Sequence, residues 1–140
     1  MEITTNSAEE TCKLAQQIAR KLHPGNVLAL YGDLGSGKTT FTGFLVRALG
    51  LPVRVQSPTF VIARKYRGEK FIVNHLDLYR LTSKSELVDI GIEDYINNPD
   101  EITIIEWPEI AEAYLPEKTI RIYFEYIGEN ERKIKIQNLY

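Results

Sequence analysis

The sequence predicts an α/β fold in which a mixed β-sheet is flanked by helices. Three observations carry that expectation. Short continuous apolar runs at 26–31 and 102–105 have the length and composition of strands covered on both faces. A glycine-rich segment stands between the first run and a stretch of helical period. Two strand pairs, 60–66 with 71–77 and 120–126 with 134–136, turn back on themselves. The sheet is therefore expected to be parallel beside the glycine-rich segment and antiparallel at its edges.

Taken in order, Ser7-Ala8-Glu9-Glu10 has the spacing of a capping box, where side chains satisfy the orphan N–H groups of a first helical turn. Ala8, Thr11, Leu14, Ala15, Ile18, Ala19 and Leu22 recur at three and four, so an amphipathic helix follows, and His23-Pro24-Gly25 stops it. The first buried strand, 26–31, comes next. Residues 40–49 read as a helix burying Phe41, Phe44, Leu45, Ala48 and Leu49, with Gly50 as C-cap and Pro52 blocking continuation. The strands 60–66 and 71–77 are joined around Gly68. Residues 81–97 form one or two short helices interrupted near Gly91. The second buried strand, 102–105, ends at Glu106-Trp107-Pro108. Ile120, Ile122, Phe124 and Tyr126 alternate, Gly128-Glu129-Asn130 turn, and Ile134 and Ile136 alternate back.

The chain's 140 residues suit one domain spanning 1–140. With 44% hydrophobic residues there is enough apolar material for one core. Seventeen Lys and Arg against nineteen Asp and Glu leave a net charge of −2. That argues against DNA as a partner and against any nucleic-acid binding driven by the bulk field. A local exception is Ala63-Arg64-Lys65-Tyr66-Arg67-Gly68-Glu69-Lys70, which is either a solvated hairpin tip or a contact for RNA or an acidic protein surface. No apolar run approaches the roughly 20 residues of a membrane helix, and Met1-Glu2-Ile3-Thr4-Thr5 has no secretory pattern. Cys12 is the single cysteine, and no Cys/His cluster has zinc-ligand spacing. A cytoplasmic protein without a membrane partner is expected.

Gly32-Asp33-Leu34-Gly35-Ser36-Gly37-Lys38-Thr39 matches G-x-x-x-x-G-K-[ST], the phosphate loop, and it lies between a strand and a helix as its mechanism requires. Glycines let consecutive N–H groups turn inward around phosphate oxygens, and the following helix aims its positive end at the same anion. Lys38 is expected to reach the β- and γ-phosphates and to act in catalysis, and the Thr39 hydroxyl to ligate Mg²⁺. The nucleotide-binding set runs through the eight loop residues to Thr40. The reading is a single P-loop NTPase domain.

Phosphoryl transfer also needs an acid near the metal, usually at the end of a neighbouring buried strand. Glu106 stands at such a point, and Asp77, ending 71–77, is its rival. Each has a plain structural alternative: Glu106 marking where a strand meets water, Asp77 pairing Arg80 or a backbone N–H. Alternation puts His75 on the face of Asp77, where packing or hydrogen bonding is its simplest role. Gln56-Ser57-Pro58-Thr59-Phe60 occupies the place of a nucleotide-sensing loop, so Thr59 is either near the γ-phosphate or part of a Ser-Pro turn. Trp107 is a core aromatic or a wall of the site.

Four strings occur in order: the loop at 32–39, Ser57-Pro58-Thr59-Phe60, His75-Leu76-Asp77-Leu78-Tyr79-Arg80 and Ile105-Glu106-Trp107-Pro108-Glu109. Together they resemble the TsaE family (formerly YjeE), bacterial ATPases required for the threonylcarbamoyladenosine modification of tRNA. The resemblance covers nearly the whole chain. It implies binding and hydrolysis of ATP with Mg²⁺, TsaB and TsaD as partners, and tRNA met indirectly through their complex. It further implies that Thr39 and Glu106 are metal-site positions, that Asp77 is functionally important, and that Thr59 and Trp107 are motif positions. Arg132 matches an arginine placed near the nucleotide base. Ser36 stands where the family commonly has Ala, at a position that works through its backbone. A small-molecule kinase and a nucleotide-dependent binding module without turnover are the rival readings.

Overall fold

The computed structural model describes residues 1–52, 55 and 62–139. Strand β1 (Glu2–Thr5) leads into helix α1 (Ala8–Ala19), followed by β2 (Val27–Tyr31), α2 (Lys38–Ala48), β3 (Ala63–Arg67) and β4 (Ile72–Asp77). Helices α3 (Lys84–Asp89) and α4 (Ile92–Ile96), strand β5 (Ile102–Glu106), a 3₁₀ helix (Pro108–Tyr114) and the hairpin β6 (Ile120–Tyr126) and β7 (Arg132–Gln137) complete the chain.

The start of α1 obeys the capping logic: Ser7 Oγ accepts the Glu10 N–H at 3.1 Å, and the Glu10 carboxylate accepts the Asn6 N–H at 3.0 Å. The helix ends at Ala19, three residues before the buried Leu22 that closes the periodic pattern. Gly91, at φ 74°, separates α3 from α4 and begins α4.

The seven strands lie in the order β1-β7-β6-β2-β5-β4-β3. Pairings β6–β2, β2–β5 and β5–β4 are parallel, while β1–β7, β7–β6 and β4–β3 are antiparallel. This is the mixed sheet the sequence predicts. Three parts differ from expectation. β1 has one apolar side chain and no readable alternation. The expected strand at 60–66 is a strand over Ala63–Arg67, with residues 60 and 61 outside the described set. The 3₁₀ helix that begins at Pro108 is too short for a periodic signal.

Alternation along the strands divides the core between the two faces of the sheet. Leu28, Leu30, Ile104 and Ile122 pack with Leu14, Ile18, Phe41 and Leu45 of α1 and α2. Val27, Leu76 and Ile105 pack with Leu87, Ile92, Ile96 and Ala111 on the opposite face. Each fully buried Leu or Ile contributes about 1.5–3 kcal/mol, so both layers hold the parallel strands rigidly. Their register sets Leu30 opposite Glu106 and Asp77 opposite Glu106. The carboxyl ends of β2, β5 and β4 therefore finish level, which is where open α/β sheets bind ligands. Among the described residues, no helix is long and apolar enough to cross a membrane.

Candidate functional site

The loop between β2 and α2 has the conformation its glycines permit. Gly32 has φ 151°, and a Cβ there would stand 2.8 Å from the Phe124 carbonyl oxygen. Gly37 caps α2 at φ 103°, in the left-handed region. The turn thus brings the first residues of α2, Lys38 and Thr39, to the ends of the parallel strands.

Lys38 is only 5% exposed. Its Nζ donates to the Gly32 carbonyl and lies 3.5 Å from the centroid of the Trp107 ring. Burial lowers its pKa, and the carboxylates of Glu106, Glu109, Asp77 and Asp33 partly restore it. A cation desolvated in this way gains from an incoming anion. Trp107 has φ 57° and ψ 55°, a conformation that a bulky side chain adopts only under local constraint. Its ring leans on Tyr79 at 4.8 Å.

Thr39 and Glu106 meet directly: the Thr39 hydroxyl donates to Glu106 Oε1 at 2.9 Å. Glu106 Oε2 contacts His75 Nε2, with His75 fully buried and Glu106 2% exposed. A bond to an ionised carboxylate, which only accepts, requires the imidazole nitrogen to be the donor. His75 Nδ1 has no hydrogen-bond partner among the described residues. Magnesium binds oxygens at about 2.0–2.1 Å in octahedral geometry, which separates adjacent ligands by about 2.9 Å. The Thr39–Glu106 pair fits one edge of that octahedron, and Mg²⁺ sites built on one or two protein ligands are completed by phosphates and water.

Asp77 lies beside this pair, with Oδ1 accepting the Tyr79 N–H at 3.0 Å, as the backbone alternative anticipated. A cleft of about 590 Å³, in the range for small-molecule sites, joins these groups. The loop from Leu34 to Thr40 forms one wall, and Asp77, Glu106, Trp107 and Arg132 also face it. Gly32 and Asp33 sit at the foot of the loop, where the Asp33 carbonyl accepts the Ser36 N–H at 3.0 Å. Leu34, at 79% exposed, projects from its tip. Arg132 Nε donates to the Ser36 carbonyl at 3.1 Å. A smaller hollow, reached by Ser7, Thr11, Thr40, Phe44 and Arg132, adjoins the loop on its α1 side.

The residues read from the sequence that the structure describes therefore converge. Thr59 and its Ser-Pro loop lie outside the described residues. Arg80 faces the cleft, whereas Arg64 and Arg67 are exposed on β3. Lys65 in the basic segment pairs with Glu101 at 2.6 Å. Sequence reasoning missed Tyr79 as a wall and the bond from His75 to Glu106. The alternation linking positions 75 and 77 was a partial signal, but nothing local indicated the partner across the sheet.

The family described as "Threonylcarbamoyl adenosine biosynthesis protein TsaE" has a model that matches residues 5–134. The chain is 38% identical over 130 residues to the Bacillus subtilis "tRNA threonylcarbamoyladenosine biosynthesis protein TsaE", covering 93% of this chain and 80% of that protein. The Treponema pallidum protein of the same name is 32% identical over 136 residues, covering 97% and 99%. A crystal structure of Bacillus subtilis YdiB superposes with a TM-score of 0.80 at 30% identity, covering all of this chain and 86% of that one.

Proposed function

This chain belongs to the TsaE family, and from that premise we propose that it binds and hydrolyses Mg-ATP in support of tRNA threonylcarbamoyladenosine formation, acting in the cytoplasm with TsaB and TsaD. The observation that carries the reading is the contact between Thr39 and Glu106 beside Lys38. Two oxygens at the spacing of one metal edge stand next to a desolvated cation at the head of a glycine-rich loop.

In this reading the backbone of 32–39 cradles the phosphates, and Lys38 neutralises the terminal ones. Thr39 and Glu106 would hold Mg²⁺, which would neutralise charge on the bound phosphates. His75 keeps one Glu106 oxygen occupied, so the other faces Thr39. Asp77, its carboxylate fixed by the Tyr79 N–H, orients the attacking water. Trp107 walls the site beside Lys38, its ring centroid 3.5 Å from the ammonium.

ATP binding by Lys38→Ala tests this directly. Affinity is expected to fall about a hundredfold or more, since a charged bond to phosphate is lost in a buried site. The fold should persist, because Lys38 serves the cleft rather than either core layer. Unchanged ATP affinity in the folded variant would refute the phosphate-loop role.

A further inference from the structure

Arg132, the first residue of β7, is engaged on two sides. Its Nη1 donates to the main-chain carbonyls of Gly128, Glu129 and Glu131 at 2.7, 3.4 and 3.0 Å, gathering the tip of the β6–β7 hairpin. Its guanidinium covers the Tyr126 ring at 4.6 Å. Nε donates in the other direction, to the Ser36 carbonyl of the phosphate loop at 3.1 Å. All of these partners lie within the protein.

The bond to Ser36 has a consequence for its neighbour. No peptide bond among the described residues is cis, and in a planar trans peptide the C=O and the following N–H point in opposite directions. Drawing the Ser36 carbonyl toward Arg132 therefore turns the Gly37 N–H away from it. Gly37, on the carboxyl side of this peptide at φ 103°, has no Cβ to resist its flipping. An anion site built from backbone N–H groups needs that direction fixed in advance.

We infer that Arg132 is a positioning residue: it braces the Ser36–Gly37 peptide so that the Gly37 N–H is oriented for phosphate before the ligand arrives, and it ties the phosphate loop to the β6–β7 hairpin tip. The inference rests on the Mg-ATP reading and changes the role of Arg132 within it. A base-contacting arginine would act on the nucleoside end. A brace acts on the phosphate end, whatever is attached to it.

Inorganic tripolyphosphate separates the two. ATP and tripolyphosphate, each with Mg²⁺, are titrated calorimetrically into the wild type, Arg132→Ala and Arg132→Lys. The brace predicts that both ligands weaken by the same factor in Arg132→Ala, about ten- to hundredfold. Arg132→Lys should recover little, because an ammonium keeps the charge but cannot span the hairpin carbonyls and Ser36 together. ¹⁵N NMR of the ligand-free proteins should show the Gly37 amide broadened in both variants, with β2 and β5 amides unmoved. If Arg132→Ala fails to fold, Arg132→Lys carries the comparison. Unchanged tripolyphosphate affinity in variants that lose ATP would overturn the brace in favour of base contact. Full recovery by lysine would overturn it in favour of charge alone. A wild type that bound neither ligand would refute the Mg-ATP reading, and the brace with it.

Discussion

Each of the two Glu106 oxygens has a hydrogen-bond partner among the described residues, and the division between them decides what the carboxylate can do. His75 engages one oxygen from within the sheet, and Thr39 reaches the other from the first turn of α2. Removing the imidazole leaves a buried carboxylate short of a donor and able to rotate. His75→Leu is therefore expected to raise the Mg²⁺ concentration needed for ATP binding about tenfold or more, the usual range for partners of metal ligands. His75→Gln, which can still donate, should recover most of it. A leucine variant with wild-type Mg²⁺ dependence would show that the bond is only packing. The two acids separate by a different measurement. Glu106→Ala is expected to abolish Mg²⁺-dependent binding, whereas Asp77→Ala should keep ATP and lose hydrolysis. Metal dependence lost only at Asp77 would mean that their roles are exchanged.

The 3₁₀ helix after Trp107 is braced by a cluster that spans three elements. The Tyr31 hydroxyl donates to Glu112 at 2.6 Å, and Arg121 of β6 donates to Glu112 at 2.7 and 3.2 Å. Tyr31 also stacks on Tyr123 at 4.6 Å. Because Tyr31 immediately precedes Gly32, the cluster links the entrance of the glycine-rich loop to the segment carrying Trp107. Burial alone would raise the Glu112 pKa, but donation from Tyr31 and Arg121 holds it below the ordinary carboxylate range. A depressed folded value gives stability that is complete above the unfolded pKa, about 4.3, and is lost as pH falls through the folded value. Glu112 is half-exposed, so the contribution is about 1 kcal/mol or less. Glu112→Gln should lower Tm by a few degrees near neutral pH, with the gap closing below about pH 4. A gap that stays constant across that range would exclude the carboxylate as its cause.

Elements also show what was legible in advance. β2, α2 and β5 announce themselves because strongly apolar runs and a fixed loop motif are local signals, and the acids at their ends follow. Contacts that depend on pairing are different. The placement of β6 beside β2 aligns Leu30 with Ile122, and nothing in either segment names the other. β1 exists because β7 offers it an edge, not because Glu2-Ile3-Thr4-Thr5 favours a strand. For the same reason the bond from His75 to Glu106 and the span of Arg132 became visible only once the sheet was assembled.

Across the whole molecule, the cleft opens where the parallel strands β2, β5 and β4 end, with Leu34 and Tyr79 exposed at its mouth. Fast phosphoryl transfer in P-loop proteins usually requires an additional cation on the γ-phosphate, often supplied by a partner. Arg80 faces the cleft, but no sequence motif assigns it over the phosphates, and the β3 arginines are exposed on an edge strand away from it. The isolated chain is therefore expected to turn over slowly and to accelerate when TsaB and TsaD are both present. Equal steady-state rates with complex formation confirmed would contradict partner activation.

The central claim is that the phosphate loop, with Thr39 and Glu106, supports hydrolysis of Mg-ATP. Its most direct measurement is single-turnover phosphate release from ATP in the assembled complex, comparing the wild type with Lys38→Ala, with and without Mg²⁺. Release should require Mg²⁺ and disappear in Lys38→Ala. Release that persists unchanged in the lysine variant, or no release from the wild type with Mg²⁺ and ATP bound, would contradict the account.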